Sequence, residues 1–175
     1  MAATADVQEC NGAAPGSWNT VTAAKFCTAD NYNPGTSNPI PIPPSGTKRS
    51  YWKSHCLDFG GTFTEITNIK IYTDGGGFGT GITVNVGNET IAEASYEEAT
   101  GTPGDTGDEM VANHSGITGK TDFFSYVSGS PKDVDAGPIS SPGRCKHVVL
   151  QMDVDDTASP GEQTPETVTW QYDEV

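Results

Sequence analysis

Two runs at the C-terminal end constrain the fold most. The first is Cys145-Lys146-His147-Val148-Val149-Leu150-Gln151-Met152-Asp153-Val154, and the second is Glu166-Thr167-Val168-Thr169-Trp170-Gln171-Tyr172-Asp173-Glu174-Val175. Side chains alternate between the two faces of a strand, so Val148, Leu150, Met152 and Val154 share one face of the first run. In the second, Val168, Trp170 and Tyr172 alternate with Thr167, Thr169, Gln171 and Asp173. Between them Ala158-Ser159-Pro160-Gly161 supplies turn chemistry: Pro160 fixes φ and Gly161 permits φ > 0. This pattern predicts two strands that pair across a turn, as the closing strands of an immunoglobulin-like sandwich.

The rest of the chain supports an all-β reading. Phe63 to Thr73 is the longest β signal, rich in Ile, Thr and aromatics. Ile66 is out of phase with Ile69 and Ile71, which predicts a bulge or bend near Asn68. Ile82 to Gly87 alternates as a strand, and shorter strands are expected at Ser17–Thr22, near Tyr51–Phe59, at Ile91–Tyr96 and at Asp122–Val127. Asp74 to Gly79, residues 100–120 and Pro131 to Gly143 read as loops. No helical stripe of any length appears. The expected architecture is an antiparallel, immunoglobulin-like or jelly-roll-like sandwich of about seven to nine strands over residues 51–175. Residues 1–50 are expected to form an extended N-terminal arm. Its Asn38-Pro39-Ile40-Pro41-Ile42-Pro43-Pro44-Ser45-Gly46 excludes helix and favours polyproline II.

Charge divides the chain in the same way. Residues 1–57 carry three acids (Asp6, Glu9, Asp30) and four bases (Lys25, Lys48, Arg49, Lys53). Residues 58–175 carry twenty acids and five bases, and the whole chain has a net charge of −14. Such a balance argues against a nucleic-acid partner, which needs basic surface. No stretch reaches the ~18 apolar residues of a membrane span, so no membrane partner is expected. No apolar segment follows Met1, so the protein is expected either to be made in the cytoplasm or to begin after processing.

The motifs that carry chemistry are weak. Four cysteines, Cys10, Cys27, Cys56 and Cys145, allow two disulfides in three pairings, and four buried thiols fit as well. His55-Cys56 and Cys145-Lys146-His147 contain two Cys and two His but lack the spacing of a zinc site. Asp153, Asp155 and Asp156 beside a turn, and Asp105, Asp108 and Glu109 in a loop, are oxygen-rich without forming a calcium loop. Asp74 to Gly79 lacks the Lys-Ser/Thr of a phosphate loop. Asn88-Glu89-Thr90 and Asn113-His114-Ser115 fit the glycosylation acceptor pattern. No nucleophile motif is present, so the chain is read as a non-enzyme without cofactor or metal. Trp18, Trp52, Trp170, Tyr32, Tyr51 and Tyr72 are the aromatics that a sugar would stack on, and a sandwich core uses the same residues.

The Pro-rich arm and the cluster after it are the best interface candidates. Extended Pro-rich segments lie pre-ordered in grooves of a neighbour. Lys48, Arg49, Tyr51, Trp52 and Lys53 combine the residue types that anchor interfaces. Leu57 to Gly75, Ala99-Thr100-Gly101-Thr102-Pro103-Gly104 and the Ala158-Ser159-Pro160-Gly161 … Trp170-Gln171-Tyr172-Asp173-Glu174-Val175 ending are similar to small β-rich structural proteins of tailed viruses of bacteria and archaea. The resemblance covers residues 57–175. It implies a virion component, such as a capsid decoration (cement) protein or a tail protein. Such a protein would dock on the major capsid protein or another virion protein, as a symmetric homo-oligomer on the particle surface. Deleting residues 1–50 is then expected to leave a folded monomer that no longer joins its assembly. The alternatives are an extracellular carbohydrate-binding module and a surface-filament subunit joined by donor-strand exchange.

Overall fold

A computed structural model describes residues 2–175. Its strands are β1 (Ala3–Asn11), β2 (Ser17–Thr20), β3 (Thr47–Arg49), β4 (Lys53–Gly61), β5 (Ile66–Thr73) and β6 (Ile82–Gly87). A small hairpin, β7 (Gly101–Thr102) with β8 (Thr106–Gly107), comes next. Then follow α1 (Met110–Asn113), β9 (Lys120–Asp122), β10 (Lys132–Asp135), β11 (Gly143–Arg144), β12 (Val148–Asp155) and β13 (Val168–Glu174). The chain is therefore all-β and its strand pairs are antiparallel, with one four-residue helix and two 3₁₀ turns. No helix among the described residues is long and apolar enough to cross a membrane.

The large sheet has the order β2-β1-β4-β12-β6-β9, with β11 also beside β4 and β3 also beside β12. A second sheet has the order β10-β5-β13. Between the two lies the main core, in which Leu57, Phe59, Val84, Val86, Val148 and Leu150 meet Ile66, Ile69, Ile71, Phe123 and Val134. Residues of opposite parity reach a second core. There Val149 of β12 packs with Tyr51, Trp52, Ile91, Ala99, Met110 and Ile117. Both faces of β12 are thus covered, and even Gln151 is fully buried.

Several expectations hold in detail. Ile66, Ile69 and Ile71 are all buried, and Asn68 turns the backbone to φ +54° between them. The β13–β5 register slips there: Gln171 faces Lys70, whereas Asp173 faces Thr67. An extra residue on β5 restores the phase, as a bulge does. β6 takes Ile82–Gly87 as expected.

Other expectations are corrected. β12 and β13 do not pair with each other. β12 runs between β4 and β6 in the large sheet, and β13 pairs with β5 in the other. The connection between them crosses from one layer to the next, so two adjacent alternating runs were not a hairpin. Ile91–Tyr96 shrinks to one bridge, Ile91 to His147, followed by a 3₁₀ turn at Glu93–Ser95. At Asp122 the side chain accepts a hydrogen bond from Phe124 N (3.0 Å) and turns the chain. β9 therefore ends there, and the turn sends Phe123, Phe124 and Tyr126 all against the main core.

The boundary at residue 50 is also corrected. β1 lies inside the large sheet, paired with β4 from Ala3↔Gly61 to Cys10↔Ser54. β3 pairs with β12. β3 and β4 line the same edge of β12, interrupted at Ser50–Trp52, where Ser50 N donates to Met152 O (2.8 Å) and Ser50 Oγ accepts from Met152 N (3.0 Å). The long strandless stretch of the N-terminal segment is residues 21–46, and it lies on the body through Phe26, Ile40 and buried Pro43.

Candidate functional site

The most unusual chemistry of the molecule lies where β1 meets β4. Glu9 stands directly opposite His55, and His55 stands opposite Val148. Opposed residues share a face, so a carboxylate and an imidazole occupy a row that should be apolar. Glu9 and Lys53 are fully buried, and His55 is nearly so. Glu9 Oε1 accepts from Lys53 Nζ at 2.9 Å, and Glu9 Oε2 pairs with His55 Nε2 at 2.9 Å. Lys53 Nζ also donates to Asn31 O at 2.7 Å. The 21–46 segment therefore closes this end of the core with a carbonyl. Asn11, two residues along β1 from Glu9, donates through Nδ2 to Glu9 Oε1 (3.1 Å) and to Asp30 Oδ1 (2.7 Å). Burial acts to raise the Glu9 pKa, but the hydrogen bonds and charges of His55 and Lys53 outweigh it and hold the carboxyl ionised below its usual range.

This arrangement revises the interface expectation for Lys48, Arg49, Tyr51, Trp52 and Lys53. Tyr51 and Trp52 belong to the second core, and Trp52 Nε1 donates to Glu97 O at 3.2 Å. Lys53 is the buried partner of Glu9. Lys48 and Arg49 stay half-exposed, each beside an acid: Lys48 with Asp105 at 2.6 Å and Arg49 with Asp153 at 3.4 Å. A cluster that reads as an anchor for a partner is, for three of its five residues, an anchor for the chain itself.

The four cysteines, Cys10, Cys27, Cys56 and Cys145, are free and buried. Burial pushes the Cys10 thiol up to about 11 and Cys145 up to about 12, and it raises Cys56 further still. Thiolates, the reactive form, are thereby disfavoured. Cys145 Sγ accepts from Leu57 N at 3.3 Å, as an internal acceptor. His55 and His147 do not assemble with Cys56 and Cys145 into a four-ligand set. Among the described residues no group of three or more His, Cys, Asp or Glu side chains is placed to hold a metal. Asp153 is engaged by Lys120 (2.9 Å), Asn85 (3.0 Å) and Arg49. Asp74 to Gly79 is an exposed loop except for half-buried Phe78, which packs edge-on to Phe124. Both acceptor asparagines, Asn88 and Asn113, are exposed.

Sequence reasoning missed several interior polar residues. Gln151 donates to Ser50 O (2.8 Å) and Asp108 O (2.7 Å) and accepts from Met110 N (3.0 Å). His147 is fully buried between Trp18 (5.6 Å, edge-on) and Tyr96 (6.3 Å), with neither ring nitrogen hydrogen-bonded. Nearby, Arg144 lies over the Trp18 ring at 5.2 Å and pairs with Glu93 at 2.6 Å. The one signal available in the sequence was parity. Glu9 and Asn11 alternate with Cys10, and Gln151 sits mid-run in an apolar strand.

The chain matches no family model, no curated protein and no solved structure.

Proposed function

We propose that the protein is a non-enzymatic structural component of a viral particle, of the capsid-decoration type. The observation that carries this reading is where the reactive groups go. All four thiols, all three histidines and the Glu9–Lys53 pair are enclosed, braced against backbone or each other or packed among aromatic rings. What the molecule offers outward is acidic surface and one neutral strip. Residues 21–46 carry one base, Lys25, and one acid, Asp30. They hold two of the four exposed large apolar residues among the described residues, Tyr32 and Ile42. A Pro-rich strip already laid on the body loses little freedom on docking. It is the surface that suits a shell protein, while the acidic remainder faces solvent and keeps free copies apart.

The test is incorporation. Particles purified from the source culture by density gradient are probed by immunoblot, and the protein is expected to co-sediment with them. Tyr32→Ser combined with Ile42→Ser is expected to keep the fold, by circular dichroism, and to lose at least ten-fold in incorporation. A protein that never co-sediments with particles overturns the reading. Light scattering on purified protein is expected to show a monomer or small symmetric oligomer. Long polymers would instead support a filament subunit, and glycan-array binding would support a carbohydrate module.

A further inference from the structure

We propose that the Lys53 amine and the Asn11 side-chain amide form an intramolecular isopeptide bond across β1 and β4, with Glu9 as the proton carrier. Three observations converge. First, the β1–β4 register ends at Cys10↔Ser54, and one step further places Asn11 opposite Lys53. Opposed residues of neighbouring strands have Cβ atoms about 5 Å apart, within the span of a lysine and an asparagine. Second, a single oxygen, Glu9 Oε1, contacts both reacting nitrogens: Lys53 Nζ at 2.9 Å and Asn11 Nδ2 at 3.1 Å. Third, Asn11 Oδ1 is buried without a hydrogen-bond partner, an unmet acceptor of a kind rare in folded interiors.

The step balances without a co-reactant. At rest Lys53 is an ammonium paired with a carboxylate. Transfer of one proton along the 2.9 Å hydrogen bond to Glu9 frees the amine and leaves the carboxyl as a neutral acid. The neutral Nζ attacks Asn11 Cγ, so an N–C bond forms and the Cγ–Nδ2 bond breaks. Glu9 passes its proton to the departing nitrogen, and Nζ releases a further one to it. Ammonium leaves, and Glu9 is again a carboxylate held by His55. Asp30 serves two roles. It holds Asn11 Nδ2 at 2.7 Å, and it engages Gly12 N at 2.5 Å, the backbone nitrogen that would otherwise close on Asn11 Cγ to a succinimide. The product ties the first strand to the fourth through a covalent bond inside the core.

Intact mass spectrometry of the purified, denatured and reduced full-length protein tests this. The expected mass lies below that of the sequence by one ammonia. Trypsin is expected to leave the chain uncut after Lys53 and to yield the peptide ending at Lys25 joined to the peptide from Ser50 to Lys70. Lys53→Met, Glu9→Gln and Asn11→Ala are each expected to restore the sequence mass. Asn11→Ala leaves the Lys53–Glu9 pair in place, so it remains informative if the other variants do not fold. A wild-type mass equal to the sequence overturns the proposal. So does an ammonia loss that persists in Lys53→Met, which would be the succinimide, or a water loss, which would put the link on Glu9. None of these outcomes depends on whether the protein enters a particle.

Discussion

At the residue scale, the interior polar groups decide how the protein responds to pH. His147 is enclosed by Trp18, Tyr96 and the Ile91 bridge, and burial, with a smaller contribution from His114, lowers its pKa to about 4. The unfolded chain binds a proton near 6.5, and the folded chain refuses it until about 4. Stability is therefore full above pH 6.5 and falls as pH drops toward 4, by ~3 kcal/mol from this group alone. Urea titrations from pH 7 to pH 4 are expected to show that loss, and His147→Phe is expected to flatten it. A loss of the same size in the variant would assign the effect to other groups. His114 is buried beside Trp52, with Glu97 4.0 Å from its Nδ1, and burial lowers its pKa too, so the double variant should be flatter still. None of this was legible in the sequence. A histidine beside Cys145 looks the same whether it lies under aromatic rings or in water, and the difference is made by Trp18, Ile91 and Tyr96, all far from it in the chain.

At the scale of elements, local chemistry set what it could reach. The bulge in β5 is an example. The phase break between Ile66 and Ile69 forced one residue out of the alternation, and Asn is among the few residues that accept φ > 0 readily. Asn68 also donates to Asp173 Oδ2 at 2.7 Å, tying the bulge to β13. Asn68→Gly is expected to change stability by less than about 1 kcal/mol, whereas Asn68→Val is expected to lose roughly 1–3 kcal/mol by thermal melting, because a β-branched residue resists this conformation. Equal melting temperatures for the two variants would show that the positive φ is unimportant. Elements failed to read correctly where a partner distant in sequence overrode propensity. Gly107 is one such point: a Cβ there would meet Ser50 O at 2.1 Å, so the strand break at Ser50–Trp52 and the β7–β8 hairpin fit together only through a glycine. The 100–120 stretch reads as polar loop because its polar composition hides the packing of Met110 and Ile117.

At the scale of the whole molecule, the N-terminal segment is the main departure from the sequence reading. β1 supplies an eight-pair ladder to β4 and half of the buried charge cluster, and β3 extends the edge of β12. Removing residues 2–50 would expose β4 along its length and strand Lys53 and His55 in the core without Glu9. An uncompensated buried charge costs about 3–5 kcal/mol, a large share of a domain's stability. The truncated chain is accordingly expected to be unfolded or aggregated by circular dichroism and size-exclusion chromatography. A folded, monomeric truncation would restore the view of residues 1–50 as a detachable arm. Local chemistry along the chain accounts for the all-β class, the strands at Ser17, Ile82 and Val148, the bulge at Asn68 and the Pro-rich run without helix. Each of these follows from φ restriction or from side-chain alternation over a few neighbouring residues. Long-range packing is what places β12 and β13 in different layers, sets β1 inside the sheet and turns Tyr51, Trp52 and Lys53 inward. Alternation says that a strand has two faces; which neighbour covers each face depends on contacts between residues far apart in the chain, and burial turns the same lysine from a surface anchor into an internal brace.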